Sequence, residues 1–179
     1  MSILILLLGY LVGSIPFGLI IGKIFYKIDI REHGSGNLGG TNAIRVLGKV
    51  PGSIVMVCDL LKGTLAASLP FLLSADINPT GVAIAAILGH CYPVFANFRG
   101  GKAVATTAGA LLFILPFGFL IGVIIFLITL KLSKYVSLSS SIAALSFFIY
   151  SFTADIYVQV FSLLISIFII YKHKENFKR

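Results

Sequence analysis

The run AVATTAGALLFILPFGFLIGVIIFLITL, Ala103 to Leu130, has no charged residue and is interrupted by Pro116, with Gly118 and Gly122 close behind. Its reading decides the fold, because it can form one long membrane span or two short ones, and the choice sets the side on which every later segment lies. A helix rising about 1.5 Å per residue needs roughly 20 residues to cross a hydrocarbon core of about 30 Å. Charge settles the choice. Two spans turning at Pro116 return Lys131 and Lys134 to the side of Lys27, Arg31, Arg45, Lys49, Arg99 and Lys102, and leave the opposite turns without lysine or arginine.

The rest of the chain agrees with a membrane setting. Of its 179 residues 58% are hydrophobic and 11% charged, and the mean hydropathy is +1.05, far from the soluble average. The net charge of +8 sits in short clusters between apolar runs, unlike the continuous basic face of a nucleic-acid binder. Ile3–Tyr26, interrupted by Pro16, forms a first span, Val50–Leu73 a second and, after the turn Ser74–Pro79, Thr80–Phe98 a third. Val136–Tyr171 divides around Asp155 on the same charge rule, which puts Lys172, Lys174, Lys178 and Arg179 on the basic side. The expected fold is all-α: a polytopic integral membrane protein of about seven transmembrane helices, N-terminus outside and C-terminus cytoplasmic, with residues 1–179 as one membrane-embedded domain. The first span lacks a basic leader and a small-residue cleavage pattern, so it reads as retained rather than as a signal peptide. Cys58 and Cys91 lie in apolar runs, where a thiol behaves as a small buried hydrophobe.

The longest polar interval is HGSGNLGGTNAIR, His33 to Arg45. Its glycines let successive N–H groups face one point, its serine, threonine and asparagines add short polar groups, and Arg45 adds a fork of donors, an inventory suited to phosphate. Gly34, Gly36 and Gly39 match G-x-G-x-x-G, but the dinucleotide fingerprint requires a preceding strand, and apolar spans flank this loop. A second anion-suited turn is Arg99-Gly-Gly-Lys102; a nucleotide P-loop would need glycine at position 96, which is alanine. Asp59 and Lys62 share one helical face inside the second span and are expected to pair. His90, alone on an apolar helix, is by type more often a packing residue. On this topology the glycine-rich loop, the Gly-Gly-Lys turn, the cluster Ser137, Ser139, Ser140 and Ser141, and the tail with His173 and Asn176 share the cytoplasmic face. Orientation alone accounts for the cations there but not for the accompanying glycines, amides and hydroxyls.

Taken together, Gly13-Ser-Ile-Pro-Phe-Gly18, Ser35-Gly-Asn-Leu-Gly-Gly-Thr-Asn42 with Arg45, Asp59-Leu-Leu-Lys-Gly63, Gly89-His-Cys-Tyr-Pro-Val-Phe95, Gly100-Gly-Lys-Ala-Val-Ala-Thr106, Tyr135-Val-Ser-Leu-Ser-Ser140 and Lys172-His-Lys-Glu-Asn176 resemble the bacterial acyl-phosphate:glycerol-3-phosphate acyltransferases of the PlsY type. The resemblance runs nearly end to end with the motifs in family order. Two departures stand out: Gly40 where the family usually has alanine, and Ala103 where it usually has glycine.

The resemblance implies an enzyme of the bacterial plasma membrane that moves a fatty acyl group from acyl phosphate to the 1-hydroxyl of glycerol 3-phosphate. The products would be lysophosphatidic acid and inorganic phosphate, in the first acylation of phospholipid synthesis. It further implies no cofactor, no metal and no nucleic acid; the partners are the two substrates, membrane lipid and the soluble enzyme that makes acyl phosphate. Carried over position by position, the catalytic residues would be Ser35, Arg45, Lys102, Ser140, His173 and Asn176. Substrate would be bound by Gly36, Asn37, Thr41 and Asn42 in the loop, by Lys62 and His90 in the spans, and by Gly100, Gly101 and Ser137. No His-x4-Asp pair of the kind common in acyl-CoA-dependent acyltransferases is present. The competing class is a small transporter of phosphorylated or other anionic solutes, for which intramembrane Asp59 and Lys62 and proline-broken helices are expected. Against it, the sequence shows no internal repeat and gathers its polar motifs at one interface.

Overall fold

The computed structural model describes residues 2–177; Lys178 and Arg179, assigned above to the basic side, lie outside the described residues. The first apolar run is two helices, α1 (Ser2–Ser14) and α2 (Phe17–Tyr26), because Pro16 lacks an N–H and disfavours helical geometry in Ile15. A 3-10 turn at Ile30–Glu32 leads to α3 (Gly40–Leu47), α4 (Lys49–Leu72) and α5 (Pro79–Cys91). Asn78 caps α5, its side-chain oxygen accepting from the Thr80 N–H at 3.0 Å. A second 3-10 turn, Val94–Ala96, precedes α6 (Val104–Ile114), α7 (Pro116–Ser133), α8 (Val136–Tyr150), α9 (Ile156–Lys172) and the single turn α10 (Lys174–Phe177).

Among the described residues, five stretches are long and apolar enough to cross a membrane: Ser2–Tyr26 taken across its break, Lys49–Leu72, Pro79–Ala96, Pro116–Ser133 and Val136–Thr153. Two further apolar helices, Val104–Ile114 and Ile156–Lys172, are shorter. Helix breaks fall at Pro116, which opens α7, and at Asp155, whose carboxylate accepts from the Val158 N–H at 3.1 Å to cap α9. Two segments differ from the sequence reading. The third span leaves α-helical geometry at Cys91 rather than continuing to Phe98, because Pro93 cannot donate to the ladder, and the glycine-rich interval is a loop only as far as Gly39, where α3 begins.

Backbone contacts divide the chain into two compact units at Ala110/Leu111. In the first, α1 packs on α5, α4 on both, and α3 on α4. A Cβ on Gly13 would collide with the Ala86 backbone, and one on Gly63 with the Thr106 carbonyl; small residues let membrane helices approach closely where there is no hydrophobic drive between them. Beneath the polar loop, Leu19, Ile30, Leu38, Ala43, Val55 and Ala96 form a buried apolar cluster that seats it. In the second unit α8 packs between α7 and α9. Ser166 Oγ donates to Ala144 O at 2.8 Å and Ser162 Oγ to Ser151 Oγ at 2.7 Å, tying α9 to α8 and to the turn that follows it.

Gly13→Ala is expected to cost about 1–3 kcal/mol by overpacking. Gly81→Ala, whose added methyl meets only Leu6 Cδ2 at 3.8 Å, should be nearly neutral, and thermal unfolding in detergent compares the two.

Candidate functional site

Asn42 organises the glycine-rich loop. Its Oδ1 accepts the Ser35 N–H at 2.8 Å, and its Nδ2 donates to Ile30 O at 2.9 Å, Asn37 O at 3.0 Å and His33 O at 3.2 Å. The amide is buried, and every one of these partners is backbone of the loop or of the 3-10 turn before it, so the side chain shapes the loop. Gly34 supplies a left-handed turn at φ +62°, and a Cβ there would strike Asn42 Oδ1. Asn37 Oδ1 accepts the Gly39 N–H at 2.9 Å, closing the turn that starts α3. Held this way, the loop leaves Ser35, Thr41 and Arg45 exposed and Gly36 half-buried; Arg45 Nη1 lies 3.5 Å from Asn42 Oδ1.

Asp29 and Arg31 were missed as site-building residues. Arg31 grips the Asp29 carboxylate with two donors, Nε to Oδ1 at 2.9 Å and Nη2 to Oδ2 at 2.6 Å, while its Nη1 donates to Ala96 O at 3.2 Å. Lys23 Nζ adds a 3.2 Å contact to Oδ2. The cluster pins the entrance of the loop to the 3-10 turn that precedes the Gly-Gly-Lys segment. Arg31 holds the Asp29 carboxyl well below the usual carboxylate range, against the opposing effect of burial. A lowered folded value means that the stability this group contributes is complete above about pH 5 and is lost progressively as pH falls from the ordinary carboxylate value through the lowered folded one. The Asp-x-Arg spacing was the available signal.

Asp59 and Lys62 pair as expected, Nζ to Oδ1 at 2.8 Å, and Lys62 also donates to Ile15 O at 2.8 Å, in the break between α1 and α2. His90 Nδ1 stands 3.5 Å from the same Asp59 oxygen and 3.0 Å from Thr106 Oγ1. All four side chains are buried. The adjoining cavity, lined by Pro16, Leu38, Pro93 and three of these residues, has a volume of about 10 Å³, room for one water and far too little for a phosphate. Lys62 and His90 are thus placed inside the helix packing and not with the exposed loop residues.

The turn after the second 3-10 segment is held from within: Phe98 N–H donates to Pro93 O at 2.9 Å, Arg99 N–H to Ala96 O at 3.2 Å, and Gly101 N–H to His90 O at 3.0 Å. Gly100 and Lys102 are half-buried and Gly101 is buried. Ala103, at φ +57°, occupies the left-handed region, where a Cβ costs roughly 1–2 kcal/mol. That is the position at which the resembling family usually has glycine.

In the second unit, Ser139, Ser140 and Ser141 donate their hydroxyls to carbonyls four residues back at 2.8, 2.8 and 2.9 Å. Ser140 therefore has its proton on Val136 O, while Ser137 lies buried in the first turn of α8. His173 Nδ1 is 2.8 Å from Ile169 O. A carbonyl can only accept, so Nδ1 carries the proton and Nε2 is the basic nitrogen of the neutral ring. Asn176, exposed on α10, donates its N–H to His173 O at 2.8 Å.

A family profile described as Glycerol-3-phosphate acyltransferase matches residues 3–179. The chain belongs to that family. It is 59% identical to the glycerol-3-phosphate acyltransferase of Geobacillus kaustophilus (strain HTA426), over 100% of this chain and 92% of the relative. It is 54% identical to the enzyme of that name from Bacillus subtilis (strain 168), over 98% and 92%. Among solved structures it is similar to the glycerol 3-phosphate form of PlsY (YgiH), described as an integral membrane glycerol 3-phosphate acyltransferase, with a TM-score of 0.92 and 38% identity over 99% of this chain and 90% of that one. The lysophosphatidic acid form of PlsY gives 0.89 and 37% over the same shares. With its five membrane-length stretches, this family member is a multi-pass membrane protein.

Lys62→Met removes the ammonium from a buried carboxylate and leaves Ile15 O with the Phe17 N–H contact at 3.2 Å. A loss of roughly 3–5 kcal/mol is expected, read by denaturation in detergent; a change under about 1 kcal/mol is the surface-pair value and would contradict this placement.

Proposed function

We propose that the protein transfers a fatty acyl group from acyl phosphate to the 1-hydroxyl of glycerol 3-phosphate, giving lysophosphatidic acid and inorganic phosphate. The end-to-end family match carries the reading. Its physical support is the set of exposed donors, Ser35 on the glycine-rich loop and Thr41 and Arg45 on α3, beside an Asn42 amide that fixes the loop's backbone. In the reaction the hydroxyl oxygen bonds to the acyl carbon, the bond from that carbon to the phosphate oxygen breaks, and phosphate leaves with the electron pair. The hydroxyl proton passes to a phosphate oxygen of the substrate itself, whose second pKa of roughly 6 suits neutral pH. His90, enclosed by Asp59 and Thr106, is not the base in this scheme, and His173 with Asn176 holds a phosphate. Arg45 takes its phosphate with two donors, while Lys102 and nearby N–H groups stabilise the developing oxyanion.

The same reading has seven spans, the N-terminus outside, and the loop, turn and tail on the cytoplasmic face of the plasma membrane. There a soluble enzyme would supply acyl phosphate.

Purified protein is expected to form lysophosphatidic acid from acyl phosphate, and not from acyl-CoA, without added metal or nucleotide. Product from acyl-CoA alone overturns the donor assignment, and no product from either returns the anion transporter. Arg45→Ala and Lys102→Ala should each lower kcat/KM about ten- to a hundredfold, as expected for a lost charge-assisted contact of roughly 1.5–3 kcal/mol, and lower activity far more than stability as read by melting temperature. In a background lacking Cys58 and Cys91, cysteines at Ser74 and Asp155 should label from outside and those at Ser35 and Lys102 from inside. Same-side labelling of positions 102 and 155 is incompatible with the proposed topology.

A further inference from the structure

The buried network of Asp59, Lys62, His90 and Thr106 has no place among the reacting groups, yet it lies directly under a turn that does. We propose that His90 is a positioning residue: its ring and its own carbonyl together seat the Gly100–Lys102 turn, and the buried ion pair keeps the ring in that pose. This inference rests on the acyltransferase reading of that turn.

The ring is oriented from one side. Its Nδ1 faces Thr106 Oγ1 at 3.0 Å and Asp59 Oδ1 at 3.5 Å, and that carboxylate is held in turn by Lys62 at 2.8 Å. The opposite edge lies against Gly101. The three atoms nearest a Cβ built on Gly101 are His90 Nε2, Cδ2 and Cε1, Nε2 in outright collision. Gly101 does not have a positive φ, so the ring, rather than backbone conformation, demands a glycine there. The backbone of His90 engages the same turn, since its carbonyl accepts the Gly101 N–H at 3.0 Å and would block a Cβ on Gly100. Lys102 follows at once. Its ammonium is therefore carried on a segment whose height above α5 is set by an imidazole that the adjoining cavity, sized for one water, keeps from any phosphorylated substrate.

A double-mutant cycle on the full-length protein tests this. Gly101→Ala, pushing a methyl into the ring edge, should lower kcat/KM for glycerol 3-phosphate about ten- to a hundredfold through KM, as small misplacements of binding groups do. His90→Ala should likewise raise KM while kcat stays within about threefold. With the ring gone the methyl has room, so Gly101→Ala added to His90→Ala should cost less than about twofold further. The Asn variant at position 90 keeps a donor for Asp59 without a ring edge, and should tolerate Gly101→Ala equally well. Penalties that multiply, or a collapse of kcat at unchanged KM in His90→Ala, overturn the proposal. Melting temperatures across the cycle read the contact independently of turnover: the drop caused by Gly101→Ala should vanish in His90→Ala. If wild-type protein makes no product, the acyltransferase reading falls while this melting cycle still decides whether the ring seats the turn; an additive drop rejects it.

Discussion

The first unit depends on how one backbone carbonyl is satisfied inside a membrane-length helix. Pro16 breaks the run Ser2–Tyr26, and the Leu19 N–H that would have served Ile15 O bonds instead to Pro16 O at 2.9 Å. The Phe17 N–H reaches Ile15 O only at 3.2 Å, poorly met backbone groups are costly in hydrocarbon, and Lys62 adds a donor at 2.8 Å. A buried ammonium needs a counter-charge, which Asp59 supplies one helical turn away. The same carboxylate then orients His90, and His90 meets the Gly-Gly-Lys turn. One break in one helix is thereby coupled, through the side chains of Lys62, Asp59 and His90, to the height of a turn more than eighty residues later in the sequence.

Polar groups in this protein fall into two populations that composition alone does not separate. Asn42, Asp59, Lys62, His90 and Ser140 are buried, and the partners found for them are groups of the protein itself. Ser35, Thr41 and Arg45 are exposed, on the loop that Asn42 shapes and on α3 behind it. The inward-turned side chains supply the kind of preorganisation that lets a few donors act on a developing charge.

Legibility followed the distance over which each interaction acts. The helix breaks at Pro116 and Asp155 were legible from the placing of lysine and arginine between apolar runs, and in the structure a proline at the start of α7 and an N-cap on α9 make each break within its own turn. The Asp59–Lys62 pair was legible for the same reason, being three residues apart. Its third partner, Ile15 O, lies 47 residues away from Lys62 and left no local trace. The polarity of Asn42 marked it as important, but sequence could not show that its amide gathers the carbonyls of Ile30, His33 and Asn37. Likewise a serine cluster at a helix start reads as a row of hydroxyls, whereas helical geometry lets Ser139, Ser140 and Ser141 donate back to the preceding turn.

Amide hydrogen exchange of Lys62→Met beside the wild-type protein, under detergent conditions that keep both folded, tests the coupling most directly. If the ion pair seats the turn through His90, exchange should accelerate at Phe17–Leu19 and at Gly101–Lys102, while α3, held separately by Asn42, keeps its protection. Faster exchange confined to Phe17–Leu19, with Gly101 unchanged, would show that the helix break and the turn are independent and contradict the account.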